Sequence, residues 1–290
     1  MSKASRNRQQ TARARIAEQQ AAARRAEARR RMLIAGGSVL AVIVVVVAFV
    51  IIKATSGSST GRTGSATGTP LSPRVNAQIT GVPTSTLAAV GKGTVFPKAI
   101  TPISGPPLTS NGKPEVLYIG AEFCPYCATE RWPMTIALSR FGTFSPLHGI
   151  HSSSTDIPAS IPTVTFYKST YTSKYLTFTS VETTTTDRTQ PLQVPTAAQA
   201  QLWEQYAQQA IPFVDFGNKY AISSVSYAYQ LLQGRTWSQI AAALSDPSDP
   251  IAQGAVGSAN MITAAICKIT NDQPAAVCNA APVTALKSQL

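Results

Sequence analysis

The stretch FCPYC, residues 123–127, places Cys124 and Cys127 two residues apart, with Pro125 and Tyr126 between them. Two thiols at that spacing can do two kinds of chemistry. They can cycle between dithiol and disulfide, exchanging electrons with another protein's cysteines. They can instead supply half of a metal site. The chain's two histidines, His148 and His151, complete the string Cys-x2-Cys-x20-His-x2-His. Zinc or copper accepts such donors, although the gap between the pairs is longer than in the usual finger. Exchange is therefore the first expectation, and metal binding the alternative.

Exchange needs a thiolate, and a free cysteine at neutral pH is mostly protonated. A helix N-terminus favours the anion through unpaired N–H groups and a partial positive charge. The apolar run EVLYIG (115–120) reads as a buried strand leading into the cysteines, and CATERWPMTIALSRFG as a helix ending at Gly142. Cys124 then lies at the helix start. Pro125 suits the first turn, where its missing N–H has no intrahelical partner. Cys127 is one turn on and within reach of Cys124. The expected mechanism follows: Cys124 attacks a substrate disulfide, and Cys127 resolves the mixed disulfide. Pro133 should kink this helix.

The other two cysteines, Cys267 and Cys278, bracket KITNDQPAAV at the end of the last expected helix. A structural disulfide is the plain reading, with about 3 kcal/mol of loop-closure stabilisation. A second redox pair relaying electrons to or from Cys124 and Cys127 is the alternative.

Which reading applies depends on compartment. Residues 32–52, MLIAGGSVLAVIVVVVAFVII, are uncharged. As a helix they would span about 31 Å, close to the hydrocarbon thickness of a bilayer. No small-residue cleavage pattern follows, so a retained transmembrane helix is expected. Residues 1–31 carry ten Lys/Arg against Glu18 and Glu27, most of the chain's net charge of +12. That basic tail is expected to stay cytoplasmic and the rest to lie outside. With no recognition motif beside it, the tail's charge serves orientation and lipid contact, not nucleic acid. Residues 53–75 read as a Gly/Ser/Thr-rich flexible linker, and 76–290 as one extracytoplasmic domain holding all four cysteines. Outside the cytoplasm, disulfide chemistry is the default.

Within the domain, residues 76–114 read as loops with one short strand. TVTFYKS (163–169) and KYLTFTSVE (174–182) read as an antiparallel strand pair, with the histidines in a loop before them. TAAQAQLWEQYAQQA (196–210) is helical. IPFVDFGNKYAI (211–222) is a strand, a Gly-Asn turn and a return strand. TWSQIAAAL (236–244) is a helix capped by Thr236, and a last helix covers about 251–270.

Strand, Cys-x-x-Cys, helix, strands, helix, Ile-Pro, strand pair, helix: over residues 112–245 this order resembles the thioredoxin fold. The specific marks are FCPYC between strand and helix and AIPFVDF just before a strand. The resemblance implies an α/β, thioredoxin-like fold with extra helices, preceded here by a single N-terminal transmembrane helix. It implies a cis bond between Ile211 and Pro212, with Pro212 beside the cysteines. Ile211, Pro212, Pro125 and Tyr126 would then line the substrate groove. More closely, the outline resembles an uncharacterised membrane-anchored thioredoxin-like family of actinobacteria and archaea, which implies localisation more than mechanism.

One departure stands out. Thioredoxin has a buried aspartate six residues before the first cysteine, and here that position is Tyr118. Glu122 is a less direct candidate for proton transfer. The expected activity is thiol–disulfide exchange on exported protein thiols or disulfides, with no bound cofactor and a membrane redox partner to recycle the pair. A non-catalytic adaptor is the third class, favoured by a fully buried or permanently reduced cysteine pair.

Overall fold

A computed structural model describes residues 68–290 of the chain. The tail at 1–31, the apolar span at 32–52 and the first part of the linker lie outside the described residues. Among the described residues no helix is long and apolar enough to cross a membrane.

In chain order, β1 (Thr69–Pro70) precedes α1 (Pro73–Thr80), α2 (Thr84–Val90) and the short β2 (Thr101–Pro102) and β3 (Thr109–Ser110). β4 (Lys113–Gly120) leads into α3 (Pro125–Leu138). Short strands follow: β5 (Gly142–Ser145), β6 (His148–His151), β7 (Pro162–Thr165) and β8 (Thr170–Ser173). Next come β9 (Thr177–Glu182), α4 (Ala197–Ala207) and the hairpin of β10 (Phe213–Phe216) and β11 (Tyr220–Ile222). A 3-10 turn at Tyr229–Leu232 precedes α5 (Trp237–Ala243). A π-turn at Ala252–Val256 runs into α6 (Gly257–Ile269), and α7 (Ala275–Cys278) and α8 (Ala281–Lys287) close the chain.

The result is a mixed α/β architecture centred on β4. Val116 and Tyr118 of β4 face the main core, while Leu117 and Ile119 join a second cluster with Phe213 and Ala207. Successive residues of a strand point to opposite faces, and both faces here are covered. That is why EVLYIG is apolar without alternation. β9 pairs parallel to β4, with Glu182 opposite Gly120. β10 pairs antiparallel on the other side, with Phe213 opposite Ile119. β11 and β2 extend that edge, and β3 pairs with the start of β4. The β10–β11 turn uses Gly217 and Asn218, both at positive φ (63° and 58°), as a tight hairpin turn requires.

α3 is buried on nearly every side: all residues from Cys127 to Leu138 are covered. It continues through Pro133 as one helix. Pro133 has no N–H, so the carbonyl of Thr129 loses its intrahelical donor. The Tyr227 hydroxyl donates to that carbonyl at 3.2 Å instead. A buried carbonyl must find some partner, and here a side chain from outside the helix supplies it.

Three expectations need correction. Residues 73–90 form two helices, not loops, and the folded unit reaches back into the segment assigned to the linker. Ser72 caps α1, accepting from the Val75 N–H at 3.3 Å, and Val75 and Ile79 are buried. Helices this short give little periodic signal. The strands at 163–169 and 174–182 do not pair with each other: β7 pairs with β6, and β9 with β4. Apolar alternation specifies which face is buried, not which neighbour it pairs with. The histidines sit on strand β6, not in a loop. Three positions apart, they point to opposite faces.

Candidate active site

Cys124 is the N-cap of α3, and its Sγ accepts the Cys127 N–H at 3.2 Å. The nucleophile expected from the sequence is thus part of the helix-start geometry: a sulfur occupies the place where Ser or Asp usually caps. Both thiols are free. Cys124 retains 4% of its surface and Cys127 none.

The two thiols are driven apart in acidity. Cys124 is held below the ordinary thiol value, first by a hydrogen bond from the Cys127 side chain. Burial opposes this, while the Cys127 amide, the Arg131 charge and the Tyr126 amide assist it. Cys127 is pushed well above the ordinary value, chiefly by burial and then by its bond to Cys124. The pair is thus unequal, with Cys124 the more acidic sulfur and Cys127 the less acidic.

Ile211 and Pro212 reach the same place from the far side of the sheet. Gln208 and Gln209 end α4 in left-handed conformation (φ 50° and 61°), and the Trp203 indole N–H donates to the Ala210 carbonyl at 2.8 Å. The Ile211–Pro212 peptide is cis. Because β10 runs antiparallel to β4, its first residues lie beside the end of β4, where the cysteines begin. The Cys124 Sγ lies 3.9 Å from the Ile211 carbonyl oxygen, and Ile211 packs with Ala121, Cys124 and Cys127. Tyr126 is 39% exposed and meets Tyr229 edge-on at 5.4 Å. Pro125 is buried in the first turn.

The metal alternative loses its ligand set. Among the described residues no group of three or more His, Cys, Asp or Glu converges to hold an ion. Cys124 and Cys127 are therefore not joined by His148 and His151. His151 instead packs on Trp237, ring centres 4.2 Å apart. Cys267 and Cys278 are joined in a disulfide, Cα atoms 5.6 Å apart, and both residues are fully buried. The bond staples the end of α6 to α7.

Beneath the cysteines lie groups that periodicity did not single out. Arg131 donates through Nε and Nη2 to Glu182 Oε1 and Oε2 at 2.8 and 2.7 Å, and through Nη2 to the Ala121 carbonyl at 2.8 Å. Neither side chain of the ion pair is exposed. Glu122 is also buried, and its Oε1 accepts from the Thr165 hydroxyl at 2.6 Å. Burial raises the Glu122 carboxyl above its usual value, against the bond from Thr165. The signal for Arg131 was an adjacent charge pair, Glu130-Arg131, inside an otherwise apolar helix. Glu182 gave none.

Glu130 faces elsewhere and accepts from both the amide (2.9 Å) and hydroxyl (2.7 Å) of Ser226. Its other oxygen has no partner. Burial pushes this carboxyl up to about 7 from 4.5, against the two bonds from Ser226. The native state thus holds a proton that the unfolded chain releases. Stability is full below about pH 4.5 and falls as pH rises toward 7. Asp215, pushed up to about 6 chiefly by burial, acts in the same direction. Glu130→Gln keeps the bonds from Ser226 and cannot ionise. Its thermal midpoint is expected to exceed that of the parent at pH 7.5 by several degrees and to match it near pH 4.5. Melting curves at both pH values check this.

A cavity of about 430 Å³ is lined by His151, Ser152, Ser153, Thr155, Thr186 and Asp187, among others. The amide of Ser153, one of its lining residues, donates to the carbonyl of Phe123, the residue before Cys124, at 2.8 Å. Arg188, paired with Asp156, covers the Phe123 ring at 4.3 Å.

No curated protein and no solved structure matches this chain. One family does, a domain of unknown function, DUF929, over residues 99–268. The matched segment holds Cys124, Cys127, Arg131, Glu182, Ile211 and Pro212, and stops before Cys278. Since it covers more than half of the 290 residues, the chain belongs to the DUF929 family.

Proposed function

We propose that this protein is a membrane-anchored, extracytoplasmic thiol–disulfide oxidoreductase with a thioredoxin-like core. The observation that carries the reading is the unequal state of the two thiols. Cys124 caps the helix and is held as the more acidic sulfur, while Cys127 sits covered one turn behind it. Metal capture gains nothing from that inequality, whereas a nucleophile and a resolving thiol require it. Further support comes from the central strand running into the cysteines, the parallel β9 on one side, and the proline-led β10 on the other. The membrane anchor and the outside location rest on residues 32–52 and the basic tail before them.

In the cycle, the Cys124 thiolate attacks a disulfide of an exported protein and expels one substrate thiolate. Cys127 then attacks Cys124, closing the 124–127 disulfide and releasing the second substrate sulfur. Run backwards, the same steps donate a disulfide. The Ile211 backbone beside the sulfur suits an extended substrate segment paired in the manner of an added strand. A membrane redox partner resets the pair.

The test is Cys127→Ala in the full chain. Without the resolving thiol, covalent complexes through Cys124 are expected to accumulate, visible as reducible higher-mass bands that mass spectrometry assigns to exported proteins. No complexes, together with no exchange by the parent on a model disulfide, would end the enzyme reading. The burial of both thiols favours a second reading, a non-catalytic adaptor that keeps its cysteines reduced, and that outcome is the result it predicts.

A further inference from the structure

We infer that Arg131, clamped by Glu182, and the hydroxyl of Tyr118 form a buried seat that supports Cys127 when it becomes the attacking thiolate of the resolving step. The inference rests on the exchange reading above and assigns the groups that act on its second half.

Cys127 has no exposed surface, so water cannot solvate a negative sulfur there. A charged atom out of water needs fixed partners. Arg131 lies four residues further along α3, on the same face one turn away. Its Nε and Nη2 are committed to Glu182 and the Ala121 carbonyl. Its remaining arm, Nη1, is buried without a partner. The Tyr118 hydroxyl is also buried without a partner, and the Arg131 guanidinium carbon lies 5.8 Å from the Tyr118 ring centre. A Cβ on Gly120 would come within 2.2 Å of that hydroxyl. The hydroxyl therefore sits against the strand end that leads into the cysteines, and glycine leaves room for it. Two buried donors without acceptors are costly in a protein interior. Neither donor bonds Cys127 in the resting state, but both interact with it electrostatically, and an anionic sulfur there would offer each of them an acceptor.

The groups acting on Cys127 come from each element around it. Cys124 and Arg131 act from α3, and Tyr118 from β4. Glu182 of β9 acts through its ion pair with Arg131, and Glu122 is coupled to that pair. The position that holds an aspartate in thioredoxin holds Tyr118 here, so this site supports its resolving thiol with a cation and a hydroxyl. In the step itself, the Cys127 sulfur forms a bond to Cys124 and the bond from Cys124 to the substrate sulfur breaks. The departing thiolate takes up one proton for the one that Cys127 gave up. No outside oxidant is needed.

Three variants of the full chain test this: Tyr118→Phe, Arg131→Lys and the double change Arg131→Met with Glu182→Met. The readout is the rate at which a labelled peptide leaves a preformed mixed disulfide on Cys124, followed from pH 5.5 to 9. Losing a nearby opposite charge moves a thiol's acidity by about one to three powers of ten. Higher basicity recovers about half of that as nucleophilicity. Release from the double variant at pH 7 should thus slow roughly 3- to 50-fold, with the rate profile displaced to higher pH. Tyr118→Phe should slow release in the same sense while the melting temperature stays level or rises, because the lost hydroxyl is an unpaired buried donor; a merely structural role would not give that pattern. Arg131→Lys keeps the charge and should keep the parental pH profile. Parental rates and pH profiles in both Tyr118→Phe and the double variant overturn the seat. If the double variant does not fold, Tyr118→Phe decides alone. A parent that forms no mixed disulfide overturns the exchange reading itself, which is a different failure.

Discussion

Cys124→Ser is expected to reduce disulfide exchange to the uncatalysed background while leaving the fold intact. The two halves have separate causes. A serine hydroxyl is not ionised near neutral pH and does not attack disulfides, so the first step is lost outright. The structural job of Cys124 is to cap α3 by accepting the Cys127 N–H, and serine is among the preferred residues for that job. The melting temperature should therefore stay level or rise. Cys124→Ala should likewise remove any exchange activity but also give up the cap, at about 1 kcal/mol. Turnover of a model disulfide, measured beside thermal unfolding of all three proteins, checks the pattern. Residual exchange well above background in the serine variant would place the chemistry at another sulfur.

The largest expected loss of stability belongs to Arg131→Met as a single change. Arg131 and Glu182 are both wholly buried and bonded through two parallel N–H···O contacts. Removing the cation strands a carboxylate in the interior, and breaking a buried pair in this way costs about 3–5 kcal/mol. For a domain of this size each kcal/mol lowers the melting temperature by about 2–4 °C. A drop of roughly 6–20 °C is expected at neutral pH. Adding Glu182→Met should recover most of it, because two apolar side chains of similar volume replace the whole pair. That asymmetry separates the stability effect from the effect on Cys127. Both the single and double variants lack the cation, but only the single one carries a stranded charge.

These two sites were legible to very different degrees. The cysteine pair, the strand before it and the helix after it could be read directly, because each depends on neighbours within a few residues. Capping of α3 by Cys124 follows from local order: a strand that ends, then Cys-Pro at a helix start. The hairpin at Gly217 and Asn218 and the capping of α5 by Thr236 are local in the same way. The helices at 73–90 do not show in the sequence because seven or eight residues make only about two turns, too few for a period to stand out, although their buried face is plain once folded.

What the sequence by itself determined was short-range chemistry: which sulfurs can pair, where a helix starts beside them, and where a proline opens a strand. What only the tertiary structure decided was pairing across long separations. It placed β9 against β4 and β7 against β6, set Ile211 3.9 Å from Cys124, and left the histidines apart from the cysteines. It also brought Glu182 under Arg131, 51 residues away in the chain. The physical reason is that burial and hydrogen bonding reward whichever neighbour the packed core supplies. A residue's own pattern says that it needs a partner, but not which one.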